Sequence, residues 1–591
     1  MRFAAVTALW LGIASPRAAV GQDTAIVIHP ESSGVSLEQR ELPRLVAEEV
    51  LRLFNAPSTT RLVGRTRLPK GNEWRGDVAV RNGPVFLGGR IQGSLLVING
   101  DVVFEPGSEI TGTLLVVGGA ADSAGQARIG GEVRVYREPL MYRLEGDELV
   151  YAPNVRRRFP SLGARRSWGT ADSRSTLTIA TGGTFNRVEG LPVVFGPLFD
   201  WKVETGLRFR LDALGVFRTA GDLSDRRSDL GYMLRTEVRR GGGETQALGV
   251  GFRAFDVVAP VEDWGLHNAE VGWSAFLFRR DYRDYYLNKG AAGRLFYQPE
   301  RQLSFSLEVR REWQTSVTAR DPWTLFRSDR VWRANPPIDD GHYATLAGAV
   351  TLDSRNDPDT PTSGWLVRLQ VERSRSRDVS PQTGIPAFVR DPIPTDGSYA
   401  FGRGFVDVRQ YARVSPSGRL NLRLVGGGWL GGDPLPLQRR LSLGGPDPLT
   451  GYAFRASACS ATIIDPAFAG TAIAACDRVL VFQAEYRGHI KLTWAYGASG
   501  AGAEGEEEPG AGSESLFRLE GPDLVVFGNA GQAWLVGNGP GHVPSDRIPT
   551  IGSWLADFGL GIDWGGFGVY LAKAVTVGEP LRFTLRLDHR F

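Results

Sequence analysis

Hydrophobic and polar residues alternate with a period of two at the C-terminal end of the chain. Within the last eleven residues, Leu581, Phe583, Leu585, Leu587 and Phe591 are separated by polar or charged side chains. Because successive side chains of a strand point to opposite faces, this pattern predicts a strand with one apolar and one charged face. Such a strand suits the wall of a membrane barrel, with lipid outside and water inside. A solvated sheet in a soluble protein is the alternative.

The same alternation recurs through residues 174–591. Sixteen strand-like segments begin near residues 175, 203, 228, 244, 266, 284, 302, 343, 365, 400, 418, 478, 522, 555, 567 and 581. An even strand number, with short turns at one end and long loops at the other, is typical of outer-membrane barrels. The sequence therefore predicts an all-β protein whose main domain is a 16-stranded antiparallel transmembrane β-barrel.

Two other periodicities precede the barrel. Apolar residues at helical spacing between residues 42 and 55 predict one short amphipathic helix within residues 22–65. Segments that begin at Ile91, Ile110 and Ile129 repeat at an offset of nineteen residues, with glycine at the corners. A short fixed period of this kind predicts a small β-solenoid over residues 72–137. The pattern resembles the bactofilin-type polymer-forming fold, which implies self-association; a monomeric spacer is the alternative.

Composition and the N-terminal segment indicate the cellular compartment and the kinds of partner to expect. Residues 1–21 combine a basic residue, an apolar run and small residues, which predicts a secretory signal peptide. Residues 138–173 are rich in arginine, proline and serine and are interpreted as a basic linker. A net charge of +3 gives no reason to expect a nucleic-acid partner. Cys459 and Cys476 are the only cysteines, and in an exported chain we expect a disulfide between them, with two free thiols as the alternative.

Several motifs resemble the BamA/TamA-type outer-membrane assembly barrels, the bacterial surface antigen family. Residues 186–191 follow the first predicted strand, and residues 527–531 and Phe591 lie near the end. A turn motif comprises Asp353, Arg355, Asp357, Pro361 and Gly364. A motif like the family's sixth extracellular loop comprises Gly444, Gly445, Leu449, Thr450, Gly451 and Tyr452. The resemblance implies an outer-membrane location with the N-terminal domain in the periplasm.

The chain departs from the family in two places. In typical members an arginine at the loop tip pairs with acidic residues of the barrel wall, whereas this chain has Thr450 and Asn529 at the corresponding positions. Glu485 keeps a carboxylate on the inward face of its strand, and Arg455 is the expected substitute for the missing cation. The second departure is that a helix and a solenoid stand where the family has POTRA repeats.

The resemblance implies a role in outer-membrane assembly, or in the insertion or translocation of protein or lipid. Outer-membrane lipid and client outer-membrane proteins or lipids are the expected partners. The chain contains no local catalytic or phosphate-binding motif, and its six histidines lack metal-ligand spacing. We therefore expect no cofactor and no enzymatic activity. A structural envelope anchor with a polymerising or wall-binding solenoid is one alternative, and a passive pore is the other.

Overall fold

The described residues of the computed structural model cover the solenoid and most of the barrel. They are residues 42, 44–122, 127–136, 139–140, 142–145, 148–151, 163–170, 173–203, 206–221, 229–241, 246–300, 302–327, 329–355, 361–386, 389, 397–415, 418–457, 459, 461–462, 471–490, 522–564, 567–576, 578–587 and 590. The predicted signal peptide, Asp357 and Phe591 lie outside these residues.

The N-terminal domain is a β-solenoid with a helix packed on one side. Its strands are β1 (Thr60–Val63), β2 (Thr66–Leu68), β3 (Glu73–Arg75), β4 (Val78–Arg81), β5 (Val85–Leu87), β6 (Arg90–Gln92), β7 (Leu95–Ile98), β8 (Val102–Phe104), β9 (Glu109–Ile110), β10 (Leu114–Val117), β11 (Ala121–Asp122), β12 (Arg128–Ile129) and β13 (Val133–Tyr136). They form three parallel sheets, in the orders β1-β4-β7-β10-β13, β11-β8-β5-β2 and β12-β9-β6-β3. The repeat places Leu95 opposite Leu114, so that each coil buries the same position on the next coil.

Helix α1 (Arg44–Asn55) covers one face of this solenoid. Its apolar stripe, including Val50 and Phe54, is buried against Leu96 and Leu115. Asn55 fixes the end of the helix, because its side chain exchanges two hydrogen bonds of 2.9 Å with the backbone of Leu149. Leu149 belongs to a short antiparallel hairpin, β14 (Tyr142–Glu145) and β15 (Glu148–Tyr151). Part of the predicted linker is therefore ordered against the solenoid.

The remaining chain forms one large sheet, and the predicted fold class of a solenoid followed by an all-β barrel is confirmed. Its elements are β16 (Gly163–Gly169), β17 (Ser173–Thr181), β18 (Val193–Lys202), β19 (Leu207–Phe217), β20 (Leu230–Gly241), β21 (Ala247–Pro260), α2 (Asn268–Phe278), β22 (Tyr285–Glu300), β23 (Leu303–Ser316), β24 (Asp340–Asp353), β25 (Gly364–Ser380), β26 (Tyr399–Ser415), β27 (Gly418–Gly432), β28 (Ala461–Thr462), β29 (Ala472–Ile473), β30 (Arg478–His489), β31 (Asp523–Val536), β32 (His542–Val543), β33 (Leu555–Trp564), β34 (Phe567–Ala574) and β35 (Arg582–Arg586). The sheet order runs from β16 to β35 and omits only the separate pair β28 and β29.

The strand count differs from the predicted sixteen. The sheet has eighteen strands, of which β32 has two residues and pairs parallel to β31. The segment near residue 266 was predicted as a strand, but residues 268–278 form helix α2. Strands β16 and β18 were not predicted, and β16 comes from the segment interpreted as a linker. In the part of the chain that the structure describes, no helix is long and apolar enough to cross a membrane.

Strand β23 shows how the wall separates lipid from lumen. Its burial alternates strictly along most of its length. Leu307 and Val309 are about half exposed on the outer face, whereas Glu308 and Arg310 are buried on the inner face. Arg310 pairs with Glu372 of β25 at 2.9 Å, so the inward charges are paired inside the barrel. An apolar exterior and a charged, paired interior are what a transmembrane β-barrel requires.

The solenoid contacts the end of the barrel that carries the short turns. Asp101, between β7 and β8, accepts a hydrogen bond of 2.5 Å from the hydroxyl of Thr362, just before β25. Arg413 near the end of β26 also pairs with Asp101. Asp101 is 5% exposed. The solenoid is thus joined to the barrel by a buried polar contact, not only by the chain connection.

Candidate functional site

The connection between β27 and β30 enters the barrel. We call residues 433–477 the inserted loop. On one side it meets the wall around β23 and β25: Gln438 donates to Gln314 at 2.9 Å, and the Arg439 guanidinium lies 3.9 Å from Glu312 and 4.0 Å from Glu372. Gln438 and Arg439 are both buried. The loop therefore does not project from the barrel at this point but packs on the charged inner wall.

A second set of contacts holds the loop to the long connection between β21 and β22. Glu262 accepts hydrogen bonds from the Ser442 backbone N–H at 2.7 Å and from its hydroxyl at 2.6 Å. Arg455 pairs with Asp284 at 2.6 Å and lies 3.7 Å from Glu262. Burial raises the pKa of Glu262, and Arg455 and Ser442 only partly oppose this effect. The Glu262 carboxyl therefore joins the two connections, and its protonation changes the charge at this contact.

The loop tip lies against the opposite wall. The Gly451 N–H donates to Asp557 of β33 at 2.6 Å, and the Tyr452 hydroxyl donates to the Ala556 carbonyl at 3.1 Å. A Cβ at position 451 would lie 2.7 Å from the Ala574 nitrogen and 2.7 Å from the Asp557 Cβ. Because both of those atoms belong to the wall, only glycine permits this close approach.

The other residues of the predicted loop motif shape the tip. Leu449 is fully buried in an apolar cluster with Val479 and Val481 of β30. Gly444 and Gly445 have φ of +105° and +121°, which other residues rarely adopt. Cys459 and Cys476 form a disulfide with their Cα atoms 5.4 Å apart, and this disulfide joins the returning arm of the loop to its root at β30.

Two arginines of the C-terminal segment lie next to the loop tip: Arg582 donates to the Gly451 carbonyl at 3.2 Å, and the second is Arg590. Its guanidinium lies 3.2 Å from the Glu485 carboxylate and donates to Asn529 at 2.9 Å and to Thr450 at 3.3 Å. Arg455 was expected in this place, but the structure pairs it with Asp284 instead. Arg590 stands on the polar face of the predicted C-terminal strand, so the alternating pattern already contained the signal for an inward-facing arginine.

Among the residues that the structure describes, the wall sheet has two edges. They are β16 and β35, the first and last strands of the sheet order. Strand β35 has only five residues and pairs with β34. Phe583 is 62% exposed and Leu585 46% exposed on its outer face, as the alternation at the C-terminus predicts. The edge strand β35 thus lies next to β34, whose Ala574 contacts the loop tip.

Comparison with known proteins identifies this arrangement. The Omp85 superfamily domain matches residues 230–565, which is more than half of the chain and includes the inserted loop. The chain belongs to the Omp85 superfamily. This finding confirms the resemblance to BamA/TamA-type barrels, and an Omp85 barrel implies an outer-membrane location.

Solved structures with similarity to this Omp85 chain are distant in sequence. BamA from Haemophilus ducreyi lacking POTRA domains 1–3 is 11% identical, with a TM-score of 0.39, over 72% of this chain and 74% of that chain. CdiB from Acinetobacter baumannii is 9% identical, with a TM-score of 0.28, over 72% of this chain and 59% of that chain. CdiB from Escherichia coli is 10% identical, with a TM-score of 0.30, over 73% of this chain and 67% of that chain. No curated protein matches the chain significantly.

The turn motif of this Omp85 barrel forms a compact hydrogen-bonded unit before β25. Arg355 pairs with Asp353 at 2.8 Å, and the backbone of Ser354 bonds to Trp365 at 2.8 Å. Gly364 has φ of +104°, and Pro361 comes just before Thr362, whose hydroxyl bonds to the solenoid residue Asp101. The motif therefore both closes the turn and lies at the contact between the solenoid and the barrel.

Proposed function

We propose that this Omp85 protein inserts or translocates protein or lipid at the outer membrane, with its solenoid in the periplasm. The observation that carries the proposal is the combination of a wall sheet with two edges, β16 and β35, and a lumen entered by the inserted loop. A macromolecule would then pass sideways out of the barrel between β16 and β35, where the sheet ends. Paired charges line the inner wall. We infer that the protein inserts or translocates its clients and does not act by enzymatic chemistry.

The contacts of the inserted loop argue against a passive pore. The loop bonds to Gln314 on one side and to Asp557 on the other, so it crosses the interior instead of leaving a free channel. A loop held at both walls also couples them: a change in the spacing of the walls must break or shift these bonds. This coupling suits a barrel that opens at its side.

The proposal is tested by depletion and complementation. Depleting the protein should change the outer-membrane protein or lipid content, measured by quantitative proteomics and lipid analysis of isolated outer membranes. Wild-type protein should restore the content, whereas Gly451→Ala should not, because its Cβ would collide with the wall. Gly552→Ala is the matched control, since a Cβ there meets no atom within 4 Å. An unchanged envelope composition after depletion would overturn the proposal.

A second candidate function is a structural anchor that self-associates through the solenoid. It is favoured by the two edge strands of the five-stranded solenoid sheet, β1 and β13. Val63 of β1 is 49% exposed, and Val133 and Val135 of β13 are 46% and 40% exposed. Exposed apolar edge strands are templates for pairing with another chain. The two edges are at opposite ends of the stack, so head-to-tail pairing would build a polymer.

A further inference from the structure

Three arginines stand in succession on the outer face of β25. Leu369 and Val371 are 45% and 47% exposed on this face. The alternation then continues on the same face with the exposed residues Arg373, Arg375 and Arg377. The two residues between these arginines are serines, which are buried on the lumen side. The outer face of β25 therefore changes from apolar to basic toward its long-loop end.

A fourth arginine joins them from β23. Arg311 lies opposite Ala344 of β24, and Ala344 lies opposite Arg375 of β25. Residues opposite each other share a face of the sheet, and two strand spacings separate Arg311 from Arg375 by roughly 10 Å. One row closer to the long loops, the ring of Trp313 stacks on that of His342, with centroids 5.6 Å apart. The arginines and this aromatic pair thus border the small side chain of Ala344.

We call the residues Arg311, Arg373, Arg375 and Arg377 the basic patch. Arg373 is eight residues after Trp365, which is exposed at the short-turn end of β25. At about 3.3 Å per residue and a strand tilt of about 40°, this separation is roughly 20 Å across the membrane. The apolar band of such barrels is about 25 Å tall and is flanked by aromatic residues such as Trp313. The basic patch therefore lies where the apolar band ends and lipid headgroups begin.

The basic patch is not neutralised by carboxylates of the barrel. Within the part of the chain that the structure describes, none of its four arginines forms an ion pair, and neither does Asp378, next to Arg377 in sequence. Arg310, which faces the lumen, in contrast pairs with Glu372 at 2.9 Å. Neighbouring like charges repel each other, and an arginine on the lipid face destabilises a membrane strand. An anion supplied by the membrane would relieve both costs.

We propose that the basic patch binds an anionic glycolipid of the outer leaflet whose headgroup carries two phosphates. Arginine binds phosphate through paired, charge-assisted hydrogen bonds. The patch extends about 13 Å along β25 and about 10 Å across to β23, which is wider than a single phosphate and matches two phosphates on a sugar framework. The choice of the outer leaflet rests on the proposed orientation, with the solenoid in the periplasm.

Titration of the full chain in detergent with purified lipids tests this site. The probe is bisphosphorylated lipid A, and it is compared with monophosphorylated lipid A and with phosphatidylglycerol. The dissociation constant of each lipid is measured by native mass spectrometry. Because no client protein is present, the result does not depend on whether the protein inserts or translocates clients.

Two triple variants separate the basic patch from net charge. The patch variant carries Arg373→Gln, Arg375→Gln and Arg377→Gln. The control variant removes the same charge from exposed positions of the solenoid domain, with Arg52→Gln, Arg75→Gln and Arg128→Gln. The patch variant should fold, since it removes charges from the lipid face, and heat-modifiable migration in gels checks this. Arg311→Gln changes the other side of the patch and provides an independent second variant.

We expect the wild type and the control variant to bind bisphosphorylated lipid A about ten-fold more tightly than the patch variant, with a smaller loss for Arg311→Gln. The wild type should bind the monophosphorylated lipid several-fold more weakly. Equal affinity of the wild type, the patch variant and Arg311→Gln would overturn the site, as would an equal loss in the control variant. Equal affinity of the wild type for phosphatidylglycerol and for lipid A would overturn the assignment to a glycolipid with two phosphates.

Discussion

At the scale of single residues, the inserted loop depends on a few buried polar groups. Glu262 is the clearest example, since it binds both the N–H and the hydroxyl of Ser442 and lies near Arg455. Burial raises its pKa above the ordinary value of a glutamate. A carboxyl whose pKa is raised by folding adds most to stability when it is protonated, so its contribution falls as the pH rises through that pKa.

Replacement of Glu262 should therefore change the pH dependence of loop docking. Glu262→Gln can accept the Ser442 N–H with its amide oxygen and donate its amide N–H to the Ser442 hydroxyl, but it cannot ionise. Loop docking in this variant should therefore weaken less than in wild type as the pH rises above the ordinary pKa of a glutamate. Glu262→Ala loses both bonds and should destabilise docking at every pH by about 1–3 kcal/mol. Protease cleavage within residues 433–477 as a function of pH measures both effects. Parallel pH profiles of wild type and Glu262→Gln would contradict this role.

At the scale of elements, the regular strands were predictable and the exceptions have physical causes. Alternation in β33 and β35 is strict because one face meets lipid and the other meets the lumen. Strand β18 was missed because Gly196 and Pro197 interrupt its apolar run. Strand β16 was missed because Arg166, which lies opposite the exposed Leu177, interrupts its apolar face. Helix α2 was mistaken for a strand since its aromatic residues favour strands, although Glu270 bonds the His267 N–H as in a capping box.

The candidate site was predictable in part. The loop motif around Gly451 was recognisable because its glycines meet steric demands that sequence reflects directly. The partner of Glu485 was not predictable, because the pairing depends on how the end of the chain folds back. Arg590 and Arg455 both lie in the C-terminal half, and only the fold determines which of them reaches the Glu485 carboxylate. The contact of Asp101 with the barrel could not be predicted for the same reason, because its partners in the barrel are more than two hundred residues away along the chain.

The exposed edge strand β13 of the solenoid leads to a separate prediction at the scale of elements. Val133→Lys with Val135→Lys puts two charges on β13, which should block edge-to-edge pairing. If the solenoid self-associates, sedimentation of the full chain in detergent should show larger species that grow with concentration in wild type and disappear in this variant. Val331→Lys is the control, because Val331 is 94% exposed in a loop of the barrel domain. A wild-type chain that stays monomeric at all concentrations would exclude the polymerising anchor.

At the scale of the whole molecule, the barrel contacts the solenoid at the end with the short turns and contacts the inserted loop in its lumen. Asp101 of the solenoid bonds to Thr362 next to the short turns, and the inserted loop crosses the lumen between Gln314 and Asp557. The Cys459–Cys476 disulfide restricts the returning arm of the loop. The barrel therefore has a loop bound to two parts of its inner wall and has its sheet edges at the side, which is the arrangement expected if clients move along the wall and not through a central channel.

Ion conductance across a planar bilayer tests this arrangement. The wild-type protein should pass only a small current, because the inserted loop crosses the lumen between Gln314 and Asp557. Deletion of residues 446–451 removes the tip that binds Asp557 and should raise the conductance several-fold; Asp557→Ala, a milder change, should give brief openings. Deletion of residues 546–551 is the size-matched control, since this segment lies on another long loop where Ile548 and Ile551 are 64% and 85% exposed. A large, steady wild-type current that neither deletion alters would mean that the loop does not close the lumen, and the passive pore would then replace lateral insertion of clients as the proposed function.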